Sequence, residues 1–499
     1  MSELAHSEET TVEIEVLRAG GGLLYPFLNG YDSLELLLRR LPSEAWRRDE
    51  DVLGGQVLLL VKRGQAARAK SYLSAIDIEF EKTERFIVLE LLLALHLGEP
   101  VSERKLRTWR RLERTLPLSD PLLIGLYYNA MMAMYVRLGR ISDARVTGQQ
   151  AISCYREASH VYLEHFIHIH LADLDIIEGR LHRATQRVSA AEGCLAQSGL
   201  RYGNEDAVIE IIRLAIHYER GELALVRRRS ADLRNSLLIG DSWSELFIEL
   251  TRIAVLSAYF LDGREVAFAE LADFQADYAR RHNGEAAAMD GLKALIWHLD
   301  WHAGAAERTW EQLRDVPAQS AVGELLAGEL GVALGLAEAT TPSTPRGRIV
   351  EALQHARTAK GQRRWDALER ALRLGFDEGH IAPFLEHRDV FLGAGNALAG
   401  RGGLKAKGQV ARMANRVLKM VSDSYVVPET LRRAGFSRRQ YRVVAALQSG
   451  ATNKQIARHL GTTEATVKYH LTSLYKLTGT QRRHELIDYA SEKLTLSVS

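Results

Sequence analysis

The stretch TNKQIARHLGTTEATVKYHL, residues 452 to 471, predicts two short helices joined by a glycine turn. A Ser or Thr hydroxyl that can cap a free backbone N–H, followed three residues later by a second hydrogen-bonding side chain, marks a helix start. Three pairs carry this signal: Ser437 with Gln440, Thr452 with Gln455, and Thr463 with Thr466. Gly461 should end the middle helix, because glycine adopts the left-handed conformation without a side-chain clash. The region therefore predicts three consecutive short helices.

Apolar residues recur at helical spacing through these helices, which predicts that the three share one small core. The residues are Val443, Val444, Leu447, Ile456, Ala457, Leu460, Val467, Leu471 and Leu474. Ala457 is small at a position where two helices must approach closely. Three short helices around one core, with the last two joined by a glycine turn, have the form of a helix-turn-helix.

The third helix carries polar and basic residues on the face that points away from this core. That face consists of Ala465, Lys468, Tyr469, Thr472 and Lys476. Lys and Thr can reach base edges or phosphates in a major groove, and Thr463 and Thr466 at the helix N-terminus suit a phosphate. Lys454, Arg482 and Arg483 are expected to flank the groove and contact the DNA backbone. An ordinary surface helix would explain any one of these residues, but together with the caps and the turn they favour a DNA-binding unit.

The segment from about residue 436 to residue 490 resembles the DNA-binding domain of the LuxR-type (NarL/FixJ-like) regulators. The resemblance rests on NKQIA at 453–457, TEATVK at 463–468, HL at 470–471 and RHEL at 483–486. It implies that the helix from Glu464 reads the major groove, with Lys468, Tyr469 and Thr472 at the base-reading positions. It also implies that the helix from about residue 483 to residue 491 can serve as a dimer surface.

The charge of the chain is distributed unevenly. The 499 residues leave room for two to four domains of ordinary size, and the formal net charge is only +2. Residues 401–499 nevertheless carry 18 Lys and Arg against six Asp and Glu, whereas residues 1–400 carry 47 against 57. A basic C-terminal part on an acidic body suits a module that binds a polyanion, attached to a body that does not itself bind DNA.

The sequence shows no signal for a membrane. No apolar run approaches the roughly 18 residues of a membrane span, and the acidic N-terminus lacks the basic-then-apolar order of a signal peptide. Cys154 and Cys194 are too few for a disulfide scaffold in a chain of this size. We therefore expect a protein of a reducing cytoplasm, bacterial in view of the resemblance, with no membrane partner.

The body of the chain has an internal repeat. Glycines recur at intervals of 34 to 42 residues, at Gly64, Gly98, Gly139, Gly179, Gly221, Gly263 and Gly304. Most follow an apolar helical stretch and open a second helix, and Ala69, Ala144 and Ala184 should lie where two helices cross. A repeat of helix, glycine turn and helix, without strand patterns, predicts an all-α solenoid. Cys154 and Cys194 take the same place in adjacent repeats, which predicts core-packing residues rather than a redox or metal pair.

This body resembles the tetratricopeptide-like superhelix of the maltose-activator (MalT-like) regulators, which ends in the same DNA-binding domain. The resemblance is clearest over residues 367–385. Stretches rich in Pro or Gly, at 340–345 and 399–403, interrupt the helical pattern. The expected division is a disordered tail at 1–12, a sensor or interaction solenoid at 13–339, a terminal helical segment at 348–421, a linker at 422–430 and the LuxR-type domain at 431–499.

The usual input domains of these regulators are not recognisable. Larger MalT-like proteins carry an N-terminal nucleotide-binding domain, but the nearest approach to its phosphate-binding loop, GLKAKGQV at 403–410, lacks the Lys-Ser/Thr pair and follows no strand. Phosphoreceiver and acyl-homoserine-lactone domains need strands that this sequence does not offer. We therefore expect no cofactor and no enzymatic activity.

Two groups of histidines were considered as metal or ligand sites. One consists of His165, His168 and His170 with Glu164, and the other of His298 and His302 beside Trp297 and Trp301. Either group could bind a metal or line a ligand pocket on the inner face of the solenoid. Packed amphipathic helices explain both groups more simply, so we predict no metal site.

These features predict a transcriptional regulator, expected to be an activator, whose C-terminal domain binds a specific double-stranded DNA site. The solenoid would sense a small-molecule or protein signal and control the pairing of two DNA-binding domains on adjacent half-sites, as a homodimer. RNA polymerase would be a partner of an activator. One alternative is a solenoid scaffold whose helix-turn-helix serves docking rather than DNA readout. Another is a solenoid that holds a small molecule or a metal catalytically.

Overall fold

The computed structural model describes residues 12–76, 83–97, 101–239, 244–281, 287–300, 302–313, 329–334, 344–391, 408–448 and 450–495. These residues form helices and turns, and no strand occurs among them. The all-α fold class predicted from the sequence is confirmed: a long helical region precedes a small helical domain at the C-terminal end.

The long helical region contains the first eighteen helices. They are α1 (12–19), α2 (Tyr25–Asn29), α3 (Tyr31–Leu38), α4 (Glu50–Lys62), α5 (Ala66–Leu73), α6 (Glu84–Leu97), α7 (Glu103–Leu112), α8 (Pro121–Arg137), α9 (Ile141–Glu157), α10 (Val161–Ile177), α11 (Leu181–Ser198), α12 (Glu205–Glu219), α13 (Leu223–Ile239), α14 (Ser244–Asp262), α15 (Arg264–Arg281), α16 (Ala287–Leu299), α17 (Ala303–Leu313) and α18 (329–333). Short 3-10 turns occur at Gly22–Leu24 and Ala45–Arg47.

The remaining helices form a terminal segment and the C-terminal domain. The terminal segment contains α19 (Pro345–Thr358), α20 (Gln362–Glu378), α21 (Ala382–Glu386), a 3-10 turn at Arg388–Phe391, and α22 (Gln409–Asp423). The C-terminal domain contains α23 (Glu429–Arg433), α24 (Arg438–Gln448), α25 (Asn453–Leu460), α26 (Glu464–Thr478) and α27 (Arg483–Thr495).

Successive helices of the body pack as antiparallel pairs, as the repeat predicts. The first helix of a pair lies between its own partner and the neighbouring pairs, so it is buried almost all round. In α14 every residue from Ser244 to Phe260 is buried, whereas α15 buries only one stripe that includes Ala267 and Leu271. This difference explains why the first helices are mainly apolar on all sides, whereas the second helices are amphipathic.

The glycine turns adopt the conformation that the repeat requires. Gly64, Gly139, Gly179, Gly221 and Gly263 all have positive φ, between 66° and 106°. Gly304 lies within the first turn of α17 rather than in the turn before it, and Gly98 lies outside the described residues. The small residues Ala69, Ala144 and Ala184 are fully buried, as expected for helix crossings.

Cys154 and Cys194 occupy equivalent places near the C-terminal ends of α9 and α11, as the period predicts. Both are free thiols and half-buried, so their assignment to the core was too strong. Each lies on the second, amphipathic helix of its pair, where the side chain reaches only the margin of the core. Burial raises the pKa of both thiols, which makes them poor nucleophiles.

The terminal segment folds back onto the glycine turns of the solenoid. A Cβ on Gly179 would lie 2.6 Å from the backbone N of Arg346, and one on Gly221 would lie 2.6 Å from Ile381. The Ile381 N–H donates to the Glu219 carbonyl at 2.7 Å, and the Arg416 guanidinium donates to the Arg220 carbonyl at 2.7 Å. Glycine at these turns therefore serves the close approach of a second layer as well as the turn itself.

A buried charge cluster joins the terminal segment to the solenoid. Glu219, 1% exposed, contacts Arg252 at 3.3 Å, Arg346 at 3.5 Å and the Nδ1 of His380 at 3.2 Å. Arg346 also pairs with Glu386 and contacts Glu329 at 2.6 Å. Burial opposes ionisation of Glu219, but Arg346, His380 and Arg252 outweigh it and hold the pKa of this carboxyl well below its usual value. Within this cluster, each charge thus has a close partner of opposite sign.

Several expectations fall on residues outside the described ranges. They are the disordered tail except Val12, most of the Pro-containing interruption at 340–345, the Gly-rich loop at 399–403, and all but the last three residues of the loop-like stretch at 403–410.

Candidate nucleic-acid interface

The helix ends of the C-terminal domain are capped as predicted. The Thr452 hydroxyl accepts from the Gln455 N–H at 3.3 Å while the Gln455 side chain accepts from the Thr452 N–H at 2.7 Å, a complete capping box. Ser437 and Gln440 repeat this exchange at 3.3 and 2.9 Å. Gly461 ends α25 with φ 63°. The two helices of the motif therefore have fixed ends and a fixed turn between them.

The domain has a core of its own. Of the predicted core residues, Leu460 is partly buried, and the other eight belong to one buried cluster. The same cluster also contains residues that the sequence analysis did not single out: Leu431, Phe436, Tyr441, Ala446, Leu486 and Ala490. Leu486 and Ala490 come from α27, which therefore helps to hold α26 in place.

The predicted base-reading face of α26 is exposed. Lys468, Tyr469, Thr472 and Lys476 are exposed, as is Ala465, and Tyr469 reaches 71% exposure. Val467, Leu471 and Leu474 bury the opposite face. The Thr472 hydroxyl donates to the Lys468 carbonyl at 3.0 Å, which leaves its lone pairs to accept from a base. The helix thus offers two cationic side chains, one aromatic ring and one hydroxyl on a single open surface.

The start of α26 offers groups that suit a phosphate. The Thr463 hydroxyl caps the Thr466 N–H at 3.1 Å and lies 2.9 Å from the Thr466 hydroxyl. Lys454 and Arg482, the other predicted backbone contacts, are exposed. Arg483 differs, because it is half-buried and donates to the Ala451 carbonyl in the turn before α25. Its guanidinium is therefore partly committed to holding that turn.

Lys476 lies in the last turn of α26, which continues to Thr478 and ends at Gly479 with φ 70°. The Thr478 hydroxyl donates to the Leu474 carbonyl at 2.8 Å. The helix therefore carries Lys476 on the same exposed surface as the other predicted contacts.

Sequence reasoning missed two features of this region. The pKa of His470 on α26 is lowered, first by partial burial of its ring and then by the positive charge of Arg439. Arg439 is exposed on α24, so a further cation lies near this helix. The second is the packing of the C-terminal domain against the body. The guanidinium of Arg388 lies 3.8 Å from the centroid of the Tyr425 ring and donates to the Ser424 carbonyl at 2.7 Å. No sequence signal pairs residues so far apart.

The docked arrangement leaves the α26 face open. The body contacts the C-terminal domain through α24, where Tyr441 is buried, and through the chain at 424–426. Lys468, Tyr469 and Thr472 stay exposed in that arrangement.

The histidines of both groups lie among packed rings and charged side chains. His165 packs against Tyr162 and Phe166, and His302 contacts Arg264 at 2.9 Å. Glu164, His168 and Cys194 do bring three donor atoms within 4.8 Å of one another. Arg156 donates to this carboxylate at 2.6 Å, and the Arg187 guanidinium lies 3.3 Å from the His168 Nδ1. Arg156 already pairs with the one carboxylate, and Arg187 adds positive charge beside His168, so the electrostatics disfavour a cation there.

Within the ranges that the structure describes, no helix is both long enough and apolar enough to cross a membrane.

The capped helices, the glycine turn and the exposed face of α26 define a helix-turn-helix domain of the DNA-binding class. Residues 434–490 match the family described as bacterial regulatory proteins, luxR family. This segment is a LuxR-family helix-turn-helix domain, preceded by a helical repeat region. The family match supports a DNA-binding transcriptional regulator.

Proposed function

We propose that this protein regulates transcription by binding a specific double-stranded DNA site through α26. The observation that carries the proposal is the exposed face with Lys468, Tyr469 and Thr472, on a helix whose opposite face is fixed in a core. Lys468 and Thr472 contact base edges, and Tyr469 contacts bases or sugar. Thr463, Thr466, Lys454, Lys476, Arg482 and Arg483 contact the DNA backbone and set the register of the helix in the groove.

The proposal assigns the remaining parts of the chain to control. The solenoid at 13–339 and the terminal segment at 348–421 form a body that senses a small-molecule or protein signal, and 422–430 links it to the DNA-binding domain at 431–499. Two chains pair on adjacent half-sites, with α27 as the contact surface, so that each domain raises the effective concentration of the other. The regulator acts as an activator that contacts RNA polymerase in the cytoplasm, without enzymatic activity.

The direct test removes the proposed base contacts. A variant with Lys468→Ala and Thr472→Ala is compared with wild type on DNA fragments recovered by genome-wide mapping of bound sites. We expect at least a tenfold loss of affinity, because each base contact contributes on the order of 1–3 kcal/mol. The slope of log affinity against log salt should fall by about one, if Lys468 also neutralises a phosphate.

Lys419→Ala is the matched control, because Lys419 is exposed on α22 outside the domain. It should leave affinity within twofold of wild type. Unchanged DNA binding by the double variant would contradict the proposal and favour a solenoid scaffold whose helix-turn-helix serves docking.

A further inference from the structure

A cleft of about 550 Å³ separates the body from the helix-turn-helix. The body contributes the end of α16, parts of α19 and α20, and the 3-10 turn at Arg388–Phe391; the DNA-binding domain contributes Ala446, Gly450, Ala451, Gln455, Ile456 and Arg458. This size falls in the range of small-molecule sites, and such sites favour boundaries between domains. A molecule bound there would touch both parts of the chain at once.

The cleft carries an excess of cations. Four arginines line it: Arg357, Arg364, Arg388 and Arg458. Its two carboxylates already have partners. Asp389 accepts two hydrogen bonds from Arg357, at 2.8 and 2.9 Å, and Glu386 pairs with Arg346 and accepts from the Tyr218 hydroxyl at 3.0 Å.

The other three arginines have no carboxylate within ion-pair distance among the described residues. Arg388 is 3% exposed and donates only to neutral oxygens: the Ser424 carbonyl and hydroxyl, the Tyr259 hydroxyl at 2.7 Å and the Leu299 carbonyl at 3.2 Å. Its buried Nε has no hydrogen-bond partner in the part of the chain that the structure describes. A buried guanidinium group without a counter-ion is costly, and an anion would relieve that cost.

Arg364, on α20 of the body, repeats the pattern. One Nη donates to the Val390 carbonyl at 2.8 Å, while its buried Nε has no partner among the described residues. Burial lowers the pKa of this guanidinium, against an opposing effect of Asp389. Arg458 is exposed on α25 and faces the cleft from the DNA-binding domain. The cleft is also lined by the apolar side chains of Leu299, Val390 and Ile456.

We propose that this cleft binds a small organic anion with carboxylate or phosphate groups, held by Arg364 and Arg388 of the body and Arg458 of the DNA-binding domain. A guanidinium suits both kinds of group as a charged planar donor. Arg388 would donate from its Nε, because both of its Nη groups already donate to protein oxygens. An anion that contacts both sides binds the docked arrangement more tightly than an undocked one, and this difference in affinity stabilises the docked arrangement. The inference goes beyond the proposed function and does not require DNA binding.

The test measures anion binding to the full chain by calorimetry at constant ionic strength. Citrate represents anions with carboxylate groups, and inorganic pyrophosphate represents anions with phosphate groups. At least one should bind saturably with one site per chain, and Arg364→Gln and Arg458→Gln should each weaken it at least tenfold, as expected for a lost charged hydrogen bond. Arg370→Gln is the matched control: Arg370 lies exposed on α20 and pairs with Glu351 outside the cleft, so affinity should stay within twofold.

A second readout tests the bridging role. Anion at a concentration that just saturates wild type should slow hydrogen exchange of the backbone at 424–428 in wild type and in Arg370→Gln, and should slow it clearly less in Arg364→Gln. The proposal is overturned if neither anion binds, or if all three variants bind alike. It is also overturned if Arg364→Gln and Arg458→Gln weaken DNA binding while anion binding is unchanged, because the cleft would then be a DNA-backbone site.

Discussion

At the scale of single residues, His165 is the most informative buried group. It is fully buried on α10 between aromatic rings, and neither ring nitrogen has a hydrogen-bond partner among the described residues. Burial lowers the pKa of His165 to about 4. The unfolded chain, with a histidine pKa near 6.5, therefore binds more protons than the folded chain between about pH 6.5 and pH 4, and stability is lost as the pH falls through that window.

Replacing His165 by Phe should reduce this acid sensitivity. Protonation of His165 in the unfolded chain should lower the free energy of unfolding of wild type by about 2 kcal/mol at pH 5 relative to pH 7.5. A Phe ring has no proton to bind and no polar atom to desolvate. Urea unfolding of wild type and His165→Phe at the two pH values measures the difference. The variant should lose correspondingly less stability on acidification.

His182→Phe serves as the control, because His182 is exposed on α11 with its ring near the Asp377 carbonyl. Acid sensitivity equal to wild type in His165→Phe would contradict the assignment of a buried neutral histidine.

At the scale of elements, α25 depends on its cap. It has only eight residues, too few for a stable isolated helix. The capping box at Thr452 and Gln455 satisfies backbone donors that the helix itself leaves unpaired. The same helix carries Lys454, a proposed DNA-backbone contact, and Arg458, which lines the cleft, so its position matters for both proposals.

Thr452→Ala should loosen the start of α25 by about 1 kcal/mol, the usual effect of removing a hydroxyl cap. Hydrogen exchange of the α25 amides in the full chain should then be faster by roughly fivefold. Thr452→Ser keeps the hydroxyl and should exchange like wild type. Equal exchange in the Ala and Ser variants would mean that tertiary packing alone fixes this helix.

At the scale of the whole molecule, Arg388 joins three parts of the chain. It donates to Tyr259 and Leu299 in the solenoid and to Ser424 at the start of the connection, and it lies against the ring of Tyr425. Arg442 of the DNA-binding domain lies over the same ring, with 4.9 Å between the guanidinium carbon and the ring centroid. This stack therefore links the body to the DNA-binding domain.

Arg388→Gln should release the DNA-binding domain. Loss of hydrogen bonds from a buried charged group should make the docked arrangement less favourable by on the order of 2 kcal/mol, and cleavage between Asp423 and Glu429 in limited proteolysis should accelerate at least tenfold. Circular dichroism at the same temperature should show unchanged helix content. Arg370→Gln should be cleaved at the wild-type rate. A wild-type cleavage rate in Arg388→Gln would show that other contacts hold the domain.

The sequence alone determined those features that depend on neighbours in the chain. The capping pairs, Gly461 and the spacing of Val467, Leu471 and Leu474 are local signals, and each predicts one local structure. The same holds for the glycine period of the body, because whether a turn needs a residue with positive φ depends on only a few consecutive residues. Charge and spacing likewise placed Lys468, Tyr469 and Thr472 on one outward face.

Only the tertiary structure decided how these elements meet. The turn glycines Gly179 and Gly221 proved to be contact points for the terminal segment, and Arg388 proved to link residues 259, 299 and 424. The partners of a buried charge are set by proximity in space. Arg388 is more than 30 residues from each of its partners in sequence, so no local pattern encodes the pairing. The arginine cleft has the same origin: its body walls include residues at 298–299, 357–364 and 386–390, all more than 60 residues before α25, and only folding brings them together.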